Sequence, residues 1–291
     1  VLGAHAALSP GEAAAAMEEL AAGGRSVAQI VGGEAAASVA LAAAGNYGLA
    51  ESARTIATTM DVWKDTQIET NDVVNRLAGA ANASRFGVED MSAAIAQGGG
   101  VAAAVGVSFQ DFSTGIAAVA SSFASGSDAG TSFKTFMLSL DGTTAKAKKV
   151  IEEYGLSFRT ATGELKPMGE IVQELHDKIG TLGEAQQVAA LKTIFGNDAY
   201  RTAAGLMKMT KEEFDAMSKT MGETDAADVA AQRMGNLSGD VEALKGSLET
   251  LGISIGSKAI PVLRDLAQGA TVVVNAMAGA LDSSDVLAGI E

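Results

Sequence analysis

The chain has 291 residues, of which 47% are hydrophobic but only 4% aromatic, and its formal net charge is −14. This length is enough for one large domain or two ordinary ones with a buried core. The acidic balance argues against direct nucleic-acid binding by this segment, since such binding requires cations that neutralise phosphates. The sequence contains no cysteine, which excludes disulfides and cysteine-based zinc sites.

The start of the sequence and its apolar runs bear on how the chain is anchored. Because the chain begins at Val1 rather than Met, we expect it to be a piece of a longer protein. The longest apolar runs, at residues 27–44 and 272–281, are interrupted by Gly, Glu or Asn. Neither reaches the ~20 continuous apolar residues that a membrane-spanning helix needs. We therefore predict no membrane span within this chain.

Helix start and stop signals follow one another along the first part of the chain. Ser9-Pro10-Gly11-Glu12 predicts the start of a helix, and Gly23-Gly24 predicts its end. Ser26 is placed to cap a second helix over residues 27–44, and Thr70-Asn71-Asp72 is placed to cap a later one. This punctuation indicates a succession of short antiparallel helices.

A sequence pattern typical of a helix occurs twice, first at residues 85–96 and again at residues 106–117, and we call it the doubled unit. The matched pairs are Val88 with Phe109, Asp90 with Asp111, Ser92 with Ser113, and Ile95 with Ile116. Two copies are too few for a solenoid, which generally needs three or more, so we interpret them as paired helical hairpins inside a larger helical domain. Asp90 and Asp111 fall in the first turns of their helices, where the helix dipole favours negative charge. We interpret both as stabilising rather than reactive groups.

Glycine and proline punctuate the middle of the chain. Gln97-Gly98-Gly99-Gly100 lacks the Gly-Lys-Ser/Thr ending of a phosphate-binding loop, so we expect a flexible break between two helices. Thr162-Gly163-Glu164 predicts a tight turn, and residues 155–166 are the one place where we expect a small β-hairpin. Pro167 predicts the start of an amphipathic helix, and Gly196-Asn197-Asp198 predicts the end of the helix that follows it.

The C-terminal part is predicted to hold longer helices. One begins at Ala226 and carries five apolar residues that alternate three and four positions apart, a heptad seam over two repeats. These candidate self-association residues are Val241, Leu244, Leu248, Leu251 and Ile255. The same spacing suits an ordinary core-facing stripe, because two repeats do not distinguish the two arrangements. Pro261 predicts the start of a last helix.

The predicted fold class is all-α. We expect a multi-helix domain of short antiparallel helices, one small β-hairpin near residues 155–166, and longer C-terminal helices. We divide the chain into an N-terminal helical segment (1–48), a core helical domain (49–222) and the long C-terminal helices (223–291). The first boundary falls at the bend predicted for residues 45–48.

Residues with catalytic or metal-binding chemistry do not form a recognisable site in this sequence. His5 and His176 are the only histidines, and His176, although near Glu170 and Glu174, lacks a second histidine at ligand spacing. Adjacent acids on a helix diverge by about 100° and do not form the facing pair that a glycosidase needs. We therefore expect no catalytic, cofactor-binding or metal-binding residues, no cofactor and no enzymatic activity. The single tryptophan, Trp63, is predicted to anchor a core or an interface.

Several of these signals occur together in a fixed order. They are Thr70-Asn71-Asp72-Val73-Val74, Ala80-Ala81-Asn82-Ala83-Ser84, the doubled unit, Gly130-Thr131-Ser132-Phe133-Lys134, Ile194-Phe195-Gly196-Asn197-Asp198, Arg233-Met234-Gly235-Asn236-Leu237, and Ala259-Ile260-Pro261. No single segment is specific, but their order is. The order resembles the core domain of phage tail tape measure proteins over residues 49–281.

The resemblance implies a structural protein of the virion. Proteins of this kind lie in the lumen of the tail tube or at the tail tip, set tail length during assembly, and leave the tube before the DNA during genome ejection. The resemblance also implies a homo-oligomer, commonly a trimer, with tail tube and tail tip proteins as partners and the host membrane as a contact on ejection. Assembly takes place in the host cytoplasm.

Two alternative functions come from other classes of protein. The Ala- and Gly-rich segments at residues 27–50 and 93–107 suggest a membrane-active module that forms or lines a channel in the host envelope. A cell-wall hydrolase is the third hypothesis, because long tape measure proteins can carry such domains. This segment offers no candidate residues for that hydrolysis.

Overall fold

The computed structural model describes residues 10–234, and this part of the chain is a bundle of helices. The first six are α1 (Pro10–Ala22), α2 (Val27–Gly45), α3 (Leu49–Val62), α4 (Thr70–Ala83), α5 (88–104) and α6 (Phe109–Val119). The second six are α7 (Gly126–Ser139), α8 (Ala145–Glu153), α9 (Met168–Lys178), α10 (Glu184–Leu206), α11 (Lys211–Gly222) and α12 (Ala226–Met234). Twelve helices and no strand in the described range confirm the predicted all-α, multi-helix fold.

Polar residues at helix starts explain where many of the helices begin. The capping residues are Ser26, Ser108, Ser125, Thr144 and Thr210, and the side-chain oxygen of each accepts the backbone N–H three residues further on. Each cap satisfies one of the amides that a helix N-terminus leaves without an intrahelical partner. Helix α4 differs from its prediction, because it starts at Thr70 itself and Glu69 occupies the cap position without a side-chain cap bond.

The two copies of the doubled unit form the beginnings of α5 and α6. Val88 and Phe109, the matched first residues, are both buried, and so are Ile95 and Ile116. All four belong to the main hydrophobic core of the described chain. The two copies therefore contribute equivalent positions to one core.

A row of aromatic rings runs through this main core. Its members are Trp63, Phe109, Phe112, Phe133, Phe136, Phe195 and Phe158, with neighbouring ring centroids 4.9 to 6.4 Å apart. These separations lie in the range where tilted and edge-to-face aromatic pairs attract each other. Trp63 is 1% exposed, and its Nε1 donates to the carbonyl oxygen of Val107 at 2.9 Å. Trp63 is thus a core residue.

Helices α5 and α7 approach each other so closely that two positions of α7 require glycine. A Cβ at Gly126 would lie 1.8 Å from the carbonyl oxygen of Asp90, and a Cβ at Gly130 would lie 2.5 Å from that of Ala94. Both contacts are with backbone atoms, so rotation of a side chain cannot relieve them. The two glycines are four residues apart and lie on one helix face, which therefore sets the distance between α5 and α7.

The glycine run within α5 is helical, so the expected flexible break is wrong. The helix continues through the run with a π-helical segment at Ile95–Gly99. A Cβ at Gly98 would lie 2.8 Å from the carbonyl oxygen of Gly130, and one at Gly99 would lie 3.2 Å from the ring of Trp63. These glycines allow close packing, which holds the backbone in place.

The predicted β-hairpin after α8 and the predicted helix end at Gly196 can be compared with the structure. In place of a small β-hairpin, the loop after α8 has one isolated antiparallel bridge between Arg159 and Leu165, and no strand forms in the described chain. The helix end predicted at Gly196-Asn197-Asp198 is present inside α10, which consists of two helical stretches that meet at a kink. Gly196 has φ 74° and ψ −177° within it, and the helix is kinked there.

A second, smaller core lies among α1, α2 and α3. We call it the N-terminal core, and its buried residues are Ala16, Leu20, Ile30, Ala35, Ala42, Leu49, Ala53 and Ala57. On its surface, Arg54 of α3 forms an ion pair with Glu19 of α1 at 2.6 Å. The N-terminal core is thus built mainly from alanine methyl groups.

Candidate functional site

His176 and Glu174, which we do not expect to bind a metal ion, take part in structural bonds. Nδ1 of His176 lies 3.1 Å from the carbonyl oxygen of Met207. Glu174 pairs with Lys166 at 3.1 Å and with Lys178 at 3.2 Å. Burial acts to raise the pKa of the Glu174 carboxyl, but the two nearby ammonium groups together outweigh it and lower that pKa. Within residues 10–234, no group of three or more His, Cys, Asp or Glu side chains is arranged to hold a metal ion.

The predicted self-association seam lies outside the described residues. It comprises Val241, Leu244, Leu248, Leu251 and Ile255. The helix predicted after Pro261 lies outside them too, so both stay predictions. Helix α12 does begin at Ala226, as predicted, and the N–H of Ala226 donates to Oδ1 of Asn75 at 3.1 Å.

Asp90 and Asp111, the matched acids of the doubled unit, make equivalent hydrogen bonds at the starts of two other helices. Oδ1 of Asp90 accepts the N–H of Gly126 at 2.8 Å, and Oδ2 of Asp111 accepts the N–H of Met168 at 3.1 Å. Gly126 and Met168 are the first residues of α7 and α9. Each acid therefore caps the N-terminus of another helix as well as lying in the first turn of its own. The sequence gives no sign of these partners, which are 36 and 57 positions away.

Asp111 is partly buried. Burial raises the pKa of its carboxyl above the ordinary value of 3.8, and the nearby Asp215 adds to this. The bond from Met168 and the charges of Arg76 and Lys211 oppose the change without reversing it. Asp111 is therefore a desolvated structural acid in a polar cluster between helices.

An open groove lies where α2 meets the start of α4. Its lining residues are Arg25, Gln29, Gly32, Gly33, Glu34, Met60, Glu69, Thr70 and Asn71, its volume is about 360 Å³, and we call it the Glu34 groove. Here α2 is kinked at Gly33, whose φ of 152° and ψ of −23° are not helical and are rarely adopted by L side chains. Because ligands bind in concave surfaces that carry a few polar groups, we take the Glu34 groove as the candidate binding site of the described fold.

One buried ion pair forms part of this groove. Arg25 donates to Oε1 of Glu34 from Nε at 2.8 Å and from Nη2 at 2.5 Å. The second carboxylate oxygen, Oε2, is buried and has no hydrogen-bond partner in the described structure. The two residues are nine positions apart. Arg25 lies in the loop between α1 and α2, Glu34 lies within α2, and no motif in the sequence pointed to them.

Helix α2 has the dimensions of a membrane span, which differs from the prediction made from continuous apolar runs. It has 19 residues with a mean hydropathy of 1.5, and by length and composition it is the one such helix in the described range. Of that stretch, 44% is buried inside the fold. At its start, Val27 and Val31 are 77% and 78% exposed.

Comparison with known protein families decides the identity of the chain. A model of the phage-related minor tail protein family matches residues 1–196. The chain belongs to this family. The match includes residues 1–48, which the resemblance seen in the sequence did not cover.

Two relatives of this minor tail protein carry more specific names. The tape measure protein of Pneumococcus phage Dp-1 is 26% identical over 277 residues, which are 94% of this chain and 24% of that protein. The probable tape measure protein of Escherichia phage P2 is 29% identical over 205 residues, 69% of this chain and 25% of that protein. The chain thus spans about a quarter of the length of these relatives. No solved structure matches it.

These findings confirm the resemblance to phage tail tape measure proteins. The family match places the chain among phage-related minor tail proteins. Both relatives are named for a structural role and neither for an enzymatic one.

Substitutions of Asp111 separate its hydrogen bond from its charge in this minor tail protein. Asp111→Ala leaves the N–H of Met168 without its acceptor, so we expect the free energy of unfolding to fall by about 1–3 kcal/mol. Asp111→Asn keeps an acceptor oxygen and removes the desolvated charge, so we expect a smaller loss or none at neutral pH. Urea unfolding of the two variants measures the difference.

The pH dependence of Asp111→Asn provides a second readout. Because the folded-state pKa of Asp111 is raised, its contribution to stability is fully present below the unfolded-state pKa and is lost as pH rises through the folded-state pKa. Asparagine does not titrate, so the stability of the variant relative to the wild type should rise from acidic to neutral pH. Asp128→Asn, at an exposed first-turn acid of α7, is the matched control. A flat difference for Asp111→Asn would contradict the buried-acid interpretation.

Proposed function

We propose that this chain is a segment of a phage tail tape measure protein, located in the lumen of the tail tube or at the tail tip. In this role it sets tail length during assembly and is released before the genome on ejection. The observation that carries the proposal is the family match over residues 1–196, together with named tape measure relatives that align to most of the chain. The helical fold and its close glycine packing are compatible with a structural role.

The chain acts without catalysis in this proposal. The polar residues that would be first candidates for chemistry are engaged in packing helices: Asp90 and Asp111 cap α7 and α9, and His176 contacts a backbone carbonyl. Glu174 is held between two lysines. Each of these groups has a structural partner that accounts for its position.

The proposal includes partners and a place of assembly. The chain forms a homo-oligomer, a trimer in the simplest case, through the seam of Val241, Leu244, Leu248, Leu251 and Ile255, and it contacts tail tube and tail tip proteins after assembly in the host cytoplasm. The heptad spacing of the seam supports self-association. Sedimentation equilibrium of the 291-residue chain tests it, and a monomer at every accessible concentration would remove the oligomer from the proposal.

Deleting this segment in the phage genome tests the role in tail length. If the segment spans the tube as an extended helix, its 291 residues account for about 440 Å at roughly 1.5 Å per residue. We therefore expect virions with tails shortened by up to about that length, measured by electron microscopy. A variant in which an unrelated helical sequence of equal length replaces the segment is the matched control and should restore tail length.

Two results would contradict the proposal. Purified virions in which mass spectrometry finds no peptide from this chain would show that it is not a virion component. Tails of unchanged length in virions that do contain the shortened protein would remove the role of this segment in measuring length, and would leave a role at the tail tip.

A membrane-active module is the second candidate function. The observation that favours it is α2, whose 19 residues have the length and mean hydropathy of a membrane span and whose Val27 and Val31 are exposed. Release of a trapped dye from liposomes by the 291-residue chain would support this candidate. Absence of both binding and leakage would remove it.

A further inference from the structure

Glu34 lines the Glu34 groove, and only one of its two carboxylate oxygens has a hydrogen-bond partner. The residue is 4% exposed and yet lines the open groove. In a fork-to-fork pair, the two nitrogens of an arginine would reach one oxygen each. Here Nε and Nη2 of Arg25 both donate to Oε1, and Oε2 has no hydrogen-bond partner in the described structure. The pairing with Arg25 therefore leaves one buried acceptor without a donor.

Glu174 is a partly buried carboxylate of the same chain that has a cation near each of its two oxygens. Its Oε1 accepts from Lys166 at 3.1 Å, and the ammonium of Lys178 lies 3.2 Å from Oε2, at ion-pair distance although not aligned as a hydrogen bond. Each oxygen of Glu174 thus has its own cation. Glu34 has one cation on one oxygen, and no second cation from the described chain reaches it.

The surroundings of Oε2 favour a positively charged donor. Glu69 adds a second carboxylate to the groove lining, and Asp61 lies close enough to Arg25 to act on it electrostatically. A buried carboxylate oxygen without a partner is unfavourable, and bonds to charged donors are stronger than neutral ones. The formal charge of −14 on the whole chain also attracts cationic partners at long range.

The groove also offers donors to a peptide backbone. Thr70 and Asn71 are the first two residues of α4 and line the groove, and Glu69 makes no side-chain cap bond there. The amides of a first helical turn have no intrahelical acceptor, so they are available to carbonyl oxygens. A ligand that has a cationic group on a peptide backbone satisfies both Oε2 and these amides, which a bare metal ion does not.

We propose that the Glu34 groove binds a basic side chain, the guanidinium of an arginine or the ammonium of a lysine, presented by a partner polypeptide. Oε2 of Glu34 accepts the hydrogen bond from that side chain, and the start of α4 holds the adjoining backbone. The proposal rests on the groove alone and stands apart from the role in tail length.

Titration of the isotope-labelled 291-residue chain with methylguanidinium, followed by NMR, tests the site. We expect saturable amide shifts centred on residues 29–34 and 69–71. N-methylurea has a similar shape but no charge, and we expect it to bind at least about tenfold more weakly, because a hydrogen bond to a charged group is worth on the order of 1.5–3 kcal/mol. This comparison uses the wild-type chain and does not depend on any variant folding.

Two matched variants locate the interaction. Glu34→Gln removes the buried charge at nearly constant shape and should weaken methylguanidinium binding at least about tenfold. Glu184→Gln, at the exposed first residue of α10, removes a charge outside the groove lining and should change it by less than about threefold. Circular dichroism establishes that each variant is folded.

Several outcomes would overturn the proposal. Equal affinity for the charged and neutral probes, or shifts spread over all surface acids, would show that no specific cation site exists. The same conclusion follows if the wild type gives no saturable shift, in which case a water molecule on Oε2 is the sufficient explanation. A folded Glu34→Gln variant with unchanged affinity would exclude Glu34 as the acceptor.

Discussion

Replacing Gly130 by alanine is expected to lower the free energy of unfolding by about 2–3 kcal/mol, the upper part of the ~1–3 kcal/mol range typical of overpacking a close contact. The added Cβ would lie 2.5 Å from the carbonyl oxygen of Ala94 and 2.7 Å from its Cα. These are backbone atoms, so α5 and α7 must move apart to admit the methyl group. The gain of up to about 1 kcal/mol in helix propensity from glycine to alanine is too small to offset this movement.

Gly100→Ala is the matched control for Gly130→Ala. Gly100 is also helical, but it is exposed, and a Cβ there would have no atom within 4 Å. We therefore expect Gly100→Ala to stabilise the protein by about 0.5–1 kcal/mol. Urea unfolding followed by circular dichroism measures both variants. If both substitutions stabilised the chain, the close approach of α5 and α7 would be wrong.

Trp63→Ala is expected to cost about 3–5 kcal/mol, as large-to-small substitutions of buried aromatic residues do. The indole is 1% exposed and its ring centroid lies 5.2 Å from that of Phe109 and 5.5 Å from that of Phe112. Its removal opens a cavity at one end of the aromatic row. It also leaves the carbonyl oxygen of Val107 without the N–H donor of Trp63.

Trp63→Phe separates the ring from the hydrogen bond. It keeps an aromatic ring in the row but loses the donor to Val107. We therefore expect it to lower the free energy of unfolding by less than Trp63→Ala does. Circular dichroism is the appropriate measurement, because either variant removes the only tryptophan. A cost below about 1 kcal/mol for Trp63→Ala would mean that the side chain is not part of the core.

Local signals in the sequence predicted the local structure well. Ser26 was placed at a helix start, and its side chain accepts the N–H that a capping residue should accept. A cap acts over three residues, so the sequence alone contains the necessary information. The all-α fold followed from many such signals, and the order of the segments predicted the family.

Contacts between distant parts of the chain were not predictable in this way. The glycine run of α5 was expected to be a flexible break, because its packing against Gly130 and Trp63 depends on how the helices assemble. Asp90 and Asp111 were correctly placed in first turns, but the helices they cap are 36 and 57 residues away. Glu34 was not singled out, since its significance comes from Arg25 and the start of α4.

The N-terminal core gives the described chain two levels of resistance to opening. Five of its eight buried residues are alanines, and a methyl group contributes only about 0.8 kcal/mol on burial, whereas the main core is built around large aromatic rings. Regions with little buried apolar area open at lower free energy than the whole domain. A force applied at the N-terminal end would therefore detach α1 from α3 first and reach the aromatic row last, so the chain would yield in steps from that end.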